Sequence, residues 1–434
     1  MHLKQSITYW SGLLCLGILS ITTGSCRRDH EGVMEKHTIT IENILDSKPL
    51  VESGTFKGAG NPPVIMPGQS VTIRFAAGKG QAISFAAMYG WSNDLFFAPE
   101  NPGIQLYGTD GQPMEGDVSG EIRLWDNGTR INQKPGMSVT HPGTAEATPQ
   151  NIMEIKGTDA QGNTYLSASK LIKATLAYNG KSMFTLTLMN ISGGTANETP
   201  ISPGVWAISY APGGNLLNPT PIYESGKPSA HGLTNIAEAG DNMPLSKYLT
   251  DMTGIFTPLS PVIVVVYQGN TNPIYQTGEA DRGEGLKDLA QMGDPTMLAA
   301  ALKKKPAVKA VYVLKEPSTT VLLPRTGSTA GGKVTQQLEL SNGDRIAVAT
   351  MYGLSNDWFF ATKDDLKESA FVKENGDLSS SIGLYDDGTA VNQYPGAGQG
   401  GDQIQESKPI MAVPNPNEFT TLPAITKIIK VTLN

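Results

Sequence analysis

Four aspartates stand out because their surroundings recur. Asp94 lies in Ser92-Asn93-Asp94-Leu95-Phe96-Phe97 and Asp357 in Ser355-Asn356-Asp357-Trp358-Phe359-Phe360. About thirty residues beyond each comes another, Asp126 in Trp125-Asp126-Asn127-Gly128-Thr129 and Asp386 in Tyr385-Asp386-Asp387-Gly388-Thr389. Calcium and other hard divalent cations prefer carboxylate and carbonyl oxygens, often from loops meeting at one end of a β-sandwich. Two carboxylates held close together repel, and a bound cation neutralises them. Asn93, Asn127, Asn356 and Asp387 flank the four and can add oxygens. A second reading stands beside this one. Asp-Asn-Gly and Asp-Asp-Gly are ordinary hairpin turns, because Asn, Asp and Gly tolerate positive φ. Ser-Asn-Asp can likewise end a strand by capping backbone groups. On spacing alone the turn reading is preferred.

Catalysis is poorly served. The histidines are His2, His30, His37, His141 and His231, and no HExxH, GxSxG, Walker or CxxC pattern occurs. His231 opens HGLTNIAEAGDN, which echoes EGLKDLAQMGDP from Glu284, so it reads as a helix-start residue. The chain is therefore expected not to be an enzyme, although a hydrolase site assembled in space needs no local signature. Trp91, Trp206 and Trp358 are expected in a core or under a loop, the alternative being sugar stacking on an exposed sheet face. With 33 basic and 40 acidic residues the net charge is −7, and no basic surface interleaved with aromatics exists, so no nucleic-acid partner is expected. Lys303, Lys304 and Lys305 suit the negative end of a helix dipole.

The elements that must position these residues come in repeats. AAMYGWSNDLFFA from Ala86 matches ATMYGLSNDWFFA from Ala349, and IRLWDNGTRINQKPG from Ile122 matches IGLYDDGTAVNQYPG from Ile382. ITIENI from Ile39 pairs with LTLMNI from Leu186, and LIKATL from Leu171 with IIKVTL from Ile428. Four blocks in one order indicate an internal duplication. Alternating strands such as Ser70–Phe75, Phe184–Leu188 and Lys333–Leu340, broken by Gly, Asn, Asp and Pro, predict an all-β, antiparallel β-sandwich fold. The stretch 282–304 has helical spacing at Leu286, Leu289, Ala290 and at Met297, Leu298, Ala301, Leu302, predicting two short helices inserted in the second module. The domains read as a signal peptide with lipobox at 1–26, a leader at 27–37, a shortened module at 38–180 and a complete one at 181–434.

The N-terminus predicts export. Lys4 precedes an apolar stretch from Tyr9 to Ile21, too short to span a membrane and typical of a signal-peptide core. It ends in Thr22-Thr23-Gly24-Ser25-Cys26, which resembles a bacterial lipobox of the looser Bacteroidetes type, with Cys26 acylated. Only Cys15 and Cys26 are present, so a chain cleaved before Cys26 has no internal disulfide. The expected location is the bacterial cell envelope, anchored by lipid to the outer membrane and contacting the membrane in no other way.

SPGVWA from Ser202, RGEGLKDLAQMGDP from Arg282, the MYGxSND-aromatic blocks and the W/YDxGT…NQxPG blocks together resemble the spondin N-terminal domain family. The resemblance covers the second module almost end to end; the first lacks the SPGVW segment and the helices. It implies C2-like antiparallel sandwiches holding structural calcium at a loop end, with metal ligands at Asp357 and Asp386 and, by the same motifs, Asp94 and Asp126. It also tips the balance from turn to metal in the second module. The implied activity is adhesion or binding of an extracellular protein or glycan. A carbohydrate-binding accessory protein and a hydrolase are the alternatives.

Overall fold

The computed structural model describes residues 34–364, 375–398 and 404–434. Cys26 and the apolar stretch before it lie outside the described residues. Residues 34–434 fold as one compact unit.

The first strands are β1 (Glu35–Asn43), β2 (Leu50–Phe56), β3 (Ser70–Ala76), β4 (Ala82–Tyr89), β5 (Leu95–Pro99) and β6 (Ile104–Gln105). Next come β7 (Gly116–Asp117), β8 (Ile122–Asp126), β9 (Met153–Glu154), β10 (Ile172–Tyr178), β11 (Met183–Asn190) and β12 (Ile201–Ser209). Helices α1 (Leu233–Ala239) and α2 (Met243–Met252) follow, then β13 (Val262–Tyr267), α3 (Leu286–Met292) and α4 (Thr296–Leu302). The chain closes with β14 (Val308–Leu314), β15 (Lys333–Leu340), β16 (Arg345–Met351), β17 (Trp358–Thr362), β18 (Gly376–Asp377), β19 (Ile382–Asp386), β20 (Met411–Ala412) and β21 (Ile429–Leu433).

These strands form four antiparallel sheets, as the sequence pattern predicts. One sheet runs β3-β11-β10-β7 and faces another running β2-β12-β4-β5-β8-β9. Between them lies a core that includes Phe75, Phe85, Phe97, Phe184, Leu186 and Trp206. A third sheet, β15-β1-β21-β18, faces a fourth, β14-β13-β16-β17-β19-β20. Their shared core includes Ile39, Ile41, Val264, Leu338, Phe360 and Val431. Helices α1 and α2 pack Leu233, Ile236, Leu245 and Leu249 on the outer face of the first large sheet. Helices α3 and α4 cover the other with Leu286, Leu289, Leu298 and Leu302. Each sandwich thus has a third, helical layer.

Burial follows from this layering. In β13 all six residues are buried, with Val262, Val264 and Val266 in the inter-sheet core and Ile263, Val265 and Tyr267 under the helices. A strand covered on both faces needs a continuous apolar run. In β1, whose sheet leaves one face wet, burial alternates from His37 to Asn43.

The strand assignment corrects the boundaries drawn from the repeats. Residues from Thr38 were expected to open the first module, yet β1 pairs with β15 and β21 in the second sandwich. Residues from 181 were expected to open the second, yet β11 pairs with β3 and β10, and β12 with β2 and β4, in the first. The first sandwich is therefore not shortened: β12 supplies its SPGVW strand, and α1 and α2 supply its helices. The physical reason is that β1 and β11 are interchangeable locally. Asn190 Nδ2 donates to the carbonyls of Ile65 and Thr199, and Asn43 Nδ2 to those of Leu322 and Thr257, in the same buried arrangement. Ser202 Oγ accepts from Met88 N at 2.8 Å, and Ser260 Oγ from Met351 N at 2.9 Å.

The sandwiches meet along 78–81 and 210–214 of the first and 393–398 of the second. Gln81 Nε2 donates to Gly396 O at 2.9 Å, and Ser182 Oγ to Gln393 Oε1 and Ala397 O. Tyr210, packed on Phe256 in the core of the first sandwich, abuts Gly396 from that side.

Candidate functional site

The strand register brings the repeated aspartates together. Leu95 faces Asp126 across β5 and β8, and Trp358 faces Asp386 across β17 and β19. Asp94 and Asp357, one residue earlier, therefore sit beside the turns that follow β8 and β19. Asn127 N donates to Asp94 O at 3.1 Å and Asp387 N to Asp357 O at 3.2 Å. The preceding serine sharpens each bend: Ser92 Oγ donates to Tyr89 O, and Ser355 Oγ to Tyr352 O.

Each carboxylate spends oxygens on the turn, as the capping reading predicts. Asp94 Oδ2 accepts from Thr129 N at 2.7 Å and Arg130 N at 2.8 Å, and Asp357 Oδ2 from Thr389 N at 2.7 Å and Ala390 N at 2.8 Å. Asp126 Oδ1 accepts from Gly128 N, and Asp386 Oδ1 from Gly388 N. Their Oδ2 atoms accept from Asn132 Nδ2 and Asn392 Nδ2, both at 2.6 Å.

Capping leaves oxygens over. Asp94 and Asp357 are 0% exposed, and the Oδ1 of each has no hydrogen-bond partner among the described residues. Asp387 Oδ1 and Asn127 Oδ1 are buried in the same condition, as is Asp281 Oδ2. Such groups are costly to leave unpaired. Burial, followed by the charge of Asp126, pushes Asp94 up to about 7. Burial and then Asp386 push Asp357 up to about 6. Asp387 rises to about 8 through burial, then the charges of Asp281, Asp357 and Asp386. Asp126 is raised as well, chiefly by burial.

The four sequence-chosen aspartates thus fall into two pairs, one per sandwich, Asp94 with Asp126 and Asp357 with Asp386. Among the described residues no three His, Cys, Asp or Glu side chains converge closely enough to hold a metal ion. A cation at either place would need amide or main-chain oxygens as well. In the second sandwich Asp387 Oδ1 and Asp281 Oδ2 are unpaired as well and their charges act on one another, although with Asp357 and Asp386 they do not converge into a metal-holding group. Asp281 was missed because it lies in a loop before α3; its only signal was the offset of three from the repeated helix block. Arg130 and Glu238, joined at 2.6 Å beside Asp94, were missed too.

The other candidates settle elsewhere. Trp206 and Trp358 are buried, whereas Trp91 is half-buried. Trp91 lines a cleft of about 950 Å³ with Met88, Val139, His141, Pro203 and Glu238. His231 stacks on Tyr248 with centroids 3.9 Å apart, just before α1. No described helix is long and apolar enough to cross a membrane. Neither a family model nor a curated protein matches the chain, so the spondin resemblance rests on the quoted motifs alone.

Proposed function

We propose that the chain is a lipid-anchored cell-envelope protein whose two spondin-like sandwiches act in adhesion or extracellular ligand binding, with calcium held structurally at a loop site. The observation that carries the calcium reading is Asp357, fully buried, with one oxygen bound by two main-chain amides and the other left without a partner beside Asp387. A hard cation would satisfy those oxygens and favour the charged carboxylates. The resemblance supports adhesion, and the Gly24-Ser25-Cys26 sequence supports the anchor.

Calcium bound only to the folded state must stabilise it by mass action. Chelation is expected to lower the melting temperature and added calcium to restore it. If Asp357→Asn and Asp386→Asn leave calcium affinity unchanged, the site is wrongly assigned. The anchor has its own test: palmitate labelling in a bacterial host should disappear in Cys26→Ser, and labelling that persists rules out Cys26.

Trp91 favours a second reading, glycan binding in the cleft it lines, since an accessible indole beside polar groups can stack on a sugar ring. Glycan-dependent changes in tryptophan fluorescence that vanish in Trp91→Ala would support it. Binding that survives this substitution would sink it.

A further inference from the structure

The joint between the sandwiches uses one end of each. Every sandwich has a docking end, after β4 or β16 and before β12 or β13, and a seat at the opposite end of the same strands. The eight residues of β4 set these ends about 25 Å apart. The docking end of the second sandwich is covered by the first. Leu354 packs against the core of the first sandwich, Gly396 O accepts from Gln81 Nε2, and Ala397 O accepts from Ser182 Oγ. The seat that receives them is the turn 78–81, residues 210–214 and the turn carrying Ser182.

In the first sandwich the matching docking end is bare. The repeats place Trp91 at Leu354, Gly136 at Gly396 and Met137 at Ala397. The backbone agrees, since Gly136 N donates to Trp91 O at 3.1 Å and Gly396 N to Leu354 O at 2.8 Å. Met137 is 80% exposed, whereas Ala397, under the first sandwich, is 1% exposed. A Cβ added at Gly396 meets Tyr210, and one added at Gly136 meets nothing within 4 Å. In place of a partner lies the cleft of about 950 Å³, lined by Trp91, Met88, Met137, Val139, Pro200 and Pro203. An exposed apolar surface rimmed by polar groups marks an interaction site.

The second sandwich carries the matching seat, and that is open too. Its turn 341–344 corresponds to 78–81, and Gln268, Gly269 and Asn270 to 210–212. Asn342, Gly343 and residues 268–270 are exposed, and a Cβ added at Gly343 or Gly269 meets nothing within 4 Å. Asp344 replaces Gln81 and is held by Lys309 and Gln268. The second amide hydrogen of the exposed Gln268 remains to serve Gly136 O. Glu35, opposite Leu340 at this end and 71% exposed, stands where Ser182 does. Ser182 meets Gln393 and Ala397, and the matching loop of the first sandwich carries Lys134 in place of Tyr394. A repeated joint thus sets a carboxylate against an ammonium.

We propose that the chain associates head to tail: the Trp91 cleft of one copy receives the 341–344 turn and residues 268–270 of a second copy, repeating the joint inside the chain. Such a contact joins two different surfaces, so it builds open rows or rings and not closed two-fold dimers. It stands without the calcium reading.

The test is sedimentation velocity on the chain from residue 27 onward, which keeps the folded unit and removes both cysteines. Species larger than a dimer, growing with concentration, are expected. Met137→Asp blocks one end and Asn342→Trp the other; each alone should leave monomers, and an equal mixture of the two should stop at dimers. Lys134→Glu should weaken association and Glu35→Lys in the same chain restore it. Oxidation of Met137→Cys/Asn342→Cys, both at exposed positions, should give a ladder of disulfide-linked multimers. A chain that is monomeric at every concentration overturns the proposal, as does a dimer that grows no further or growth that survives Met137→Asp. A monomer whose tryptophan fluorescence responds to a glycan assigns the cleft to that ligand instead.

Discussion

Asp94, Asp357 and Asp387 are carboxylates that burial pushes far above the value near 3.9 at which an unfolded aspartate titrates. Between about pH 4 and pH 8 the folded chain therefore holds more protons at these groups than the unfolded chain does. Their contribution to stability is full below pH 4 and is lost as pH rises through their folded values. Without calcium, the urea midpoint should fall between pH 5 and pH 8, and Asp387→Asn should flatten that fall. Saturating calcium should flatten it too, because the ion favours the charged forms. A midpoint that rises with pH in chelator would contradict the burial argument. The motif aspartates were legible because each sits in a short, repeated segment whose turn chemistry is local. Asp281 and Arg130 were not, since what matters about them is proximity across the fold to groups about a hundred residues away.

At the level of elements, periodicity carried most of the information. The helical spacing around Leu286 and Leu298 predicts α3 and α4, and alternation predicts β3, β11 and β15. Leu289 is fully buried between α3 and the sheet, so Leu289→Ala should cost about 2–5 kcal/mol, read from urea unfolding. A loss under 1 kcal/mol would mean that the helical layer is loosely seated. What periodicity could not reveal is which sheet a strand joins. ITIENI and LTLMNI carry the same alternation and the same asparagine as the last residue of the strand, so each would suit either sandwich. The choice is made by chain path, through the short run from Ile44 to Pro49 that carries the backbone from β1 in one sandwich to β2 in the other.

For the whole molecule, this path yields a test that separates the strand assignment from the boundaries drawn on repeats. A fragment spanning 45–256 holds every strand and helix of the first sandwich and should unfold cooperatively on heating. A fragment spanning 181–434 lacks β1, the strand between β15 and β21, and should show no cooperative transition. A cooperative 38–180 fragment would argue for the repeat-based boundary instead. The contact between sandwiches can be probed at Gly396, where φ is 103° and an added Cβ would lie 2.4 Å from Tyr210 Cε1. Gly396→Ala should weaken their coupling and split a single melting transition into two, as differential scanning calorimetry would record. The same crossing of β1 has a mechanical meaning. A pull exerted between the segment before Glu35 and the first sandwich enters at one end of β1 and leaves at the other. The load then runs along the covalent backbone of β1, which is already extended between β15 and β21, so tension passes through the second sandwich without having to unzip it. β1 is in that sense a tendon through the second sandwich, handing tension on to the first, whose unfolding rate and not its equilibrium stability governs resistance to a steady tug.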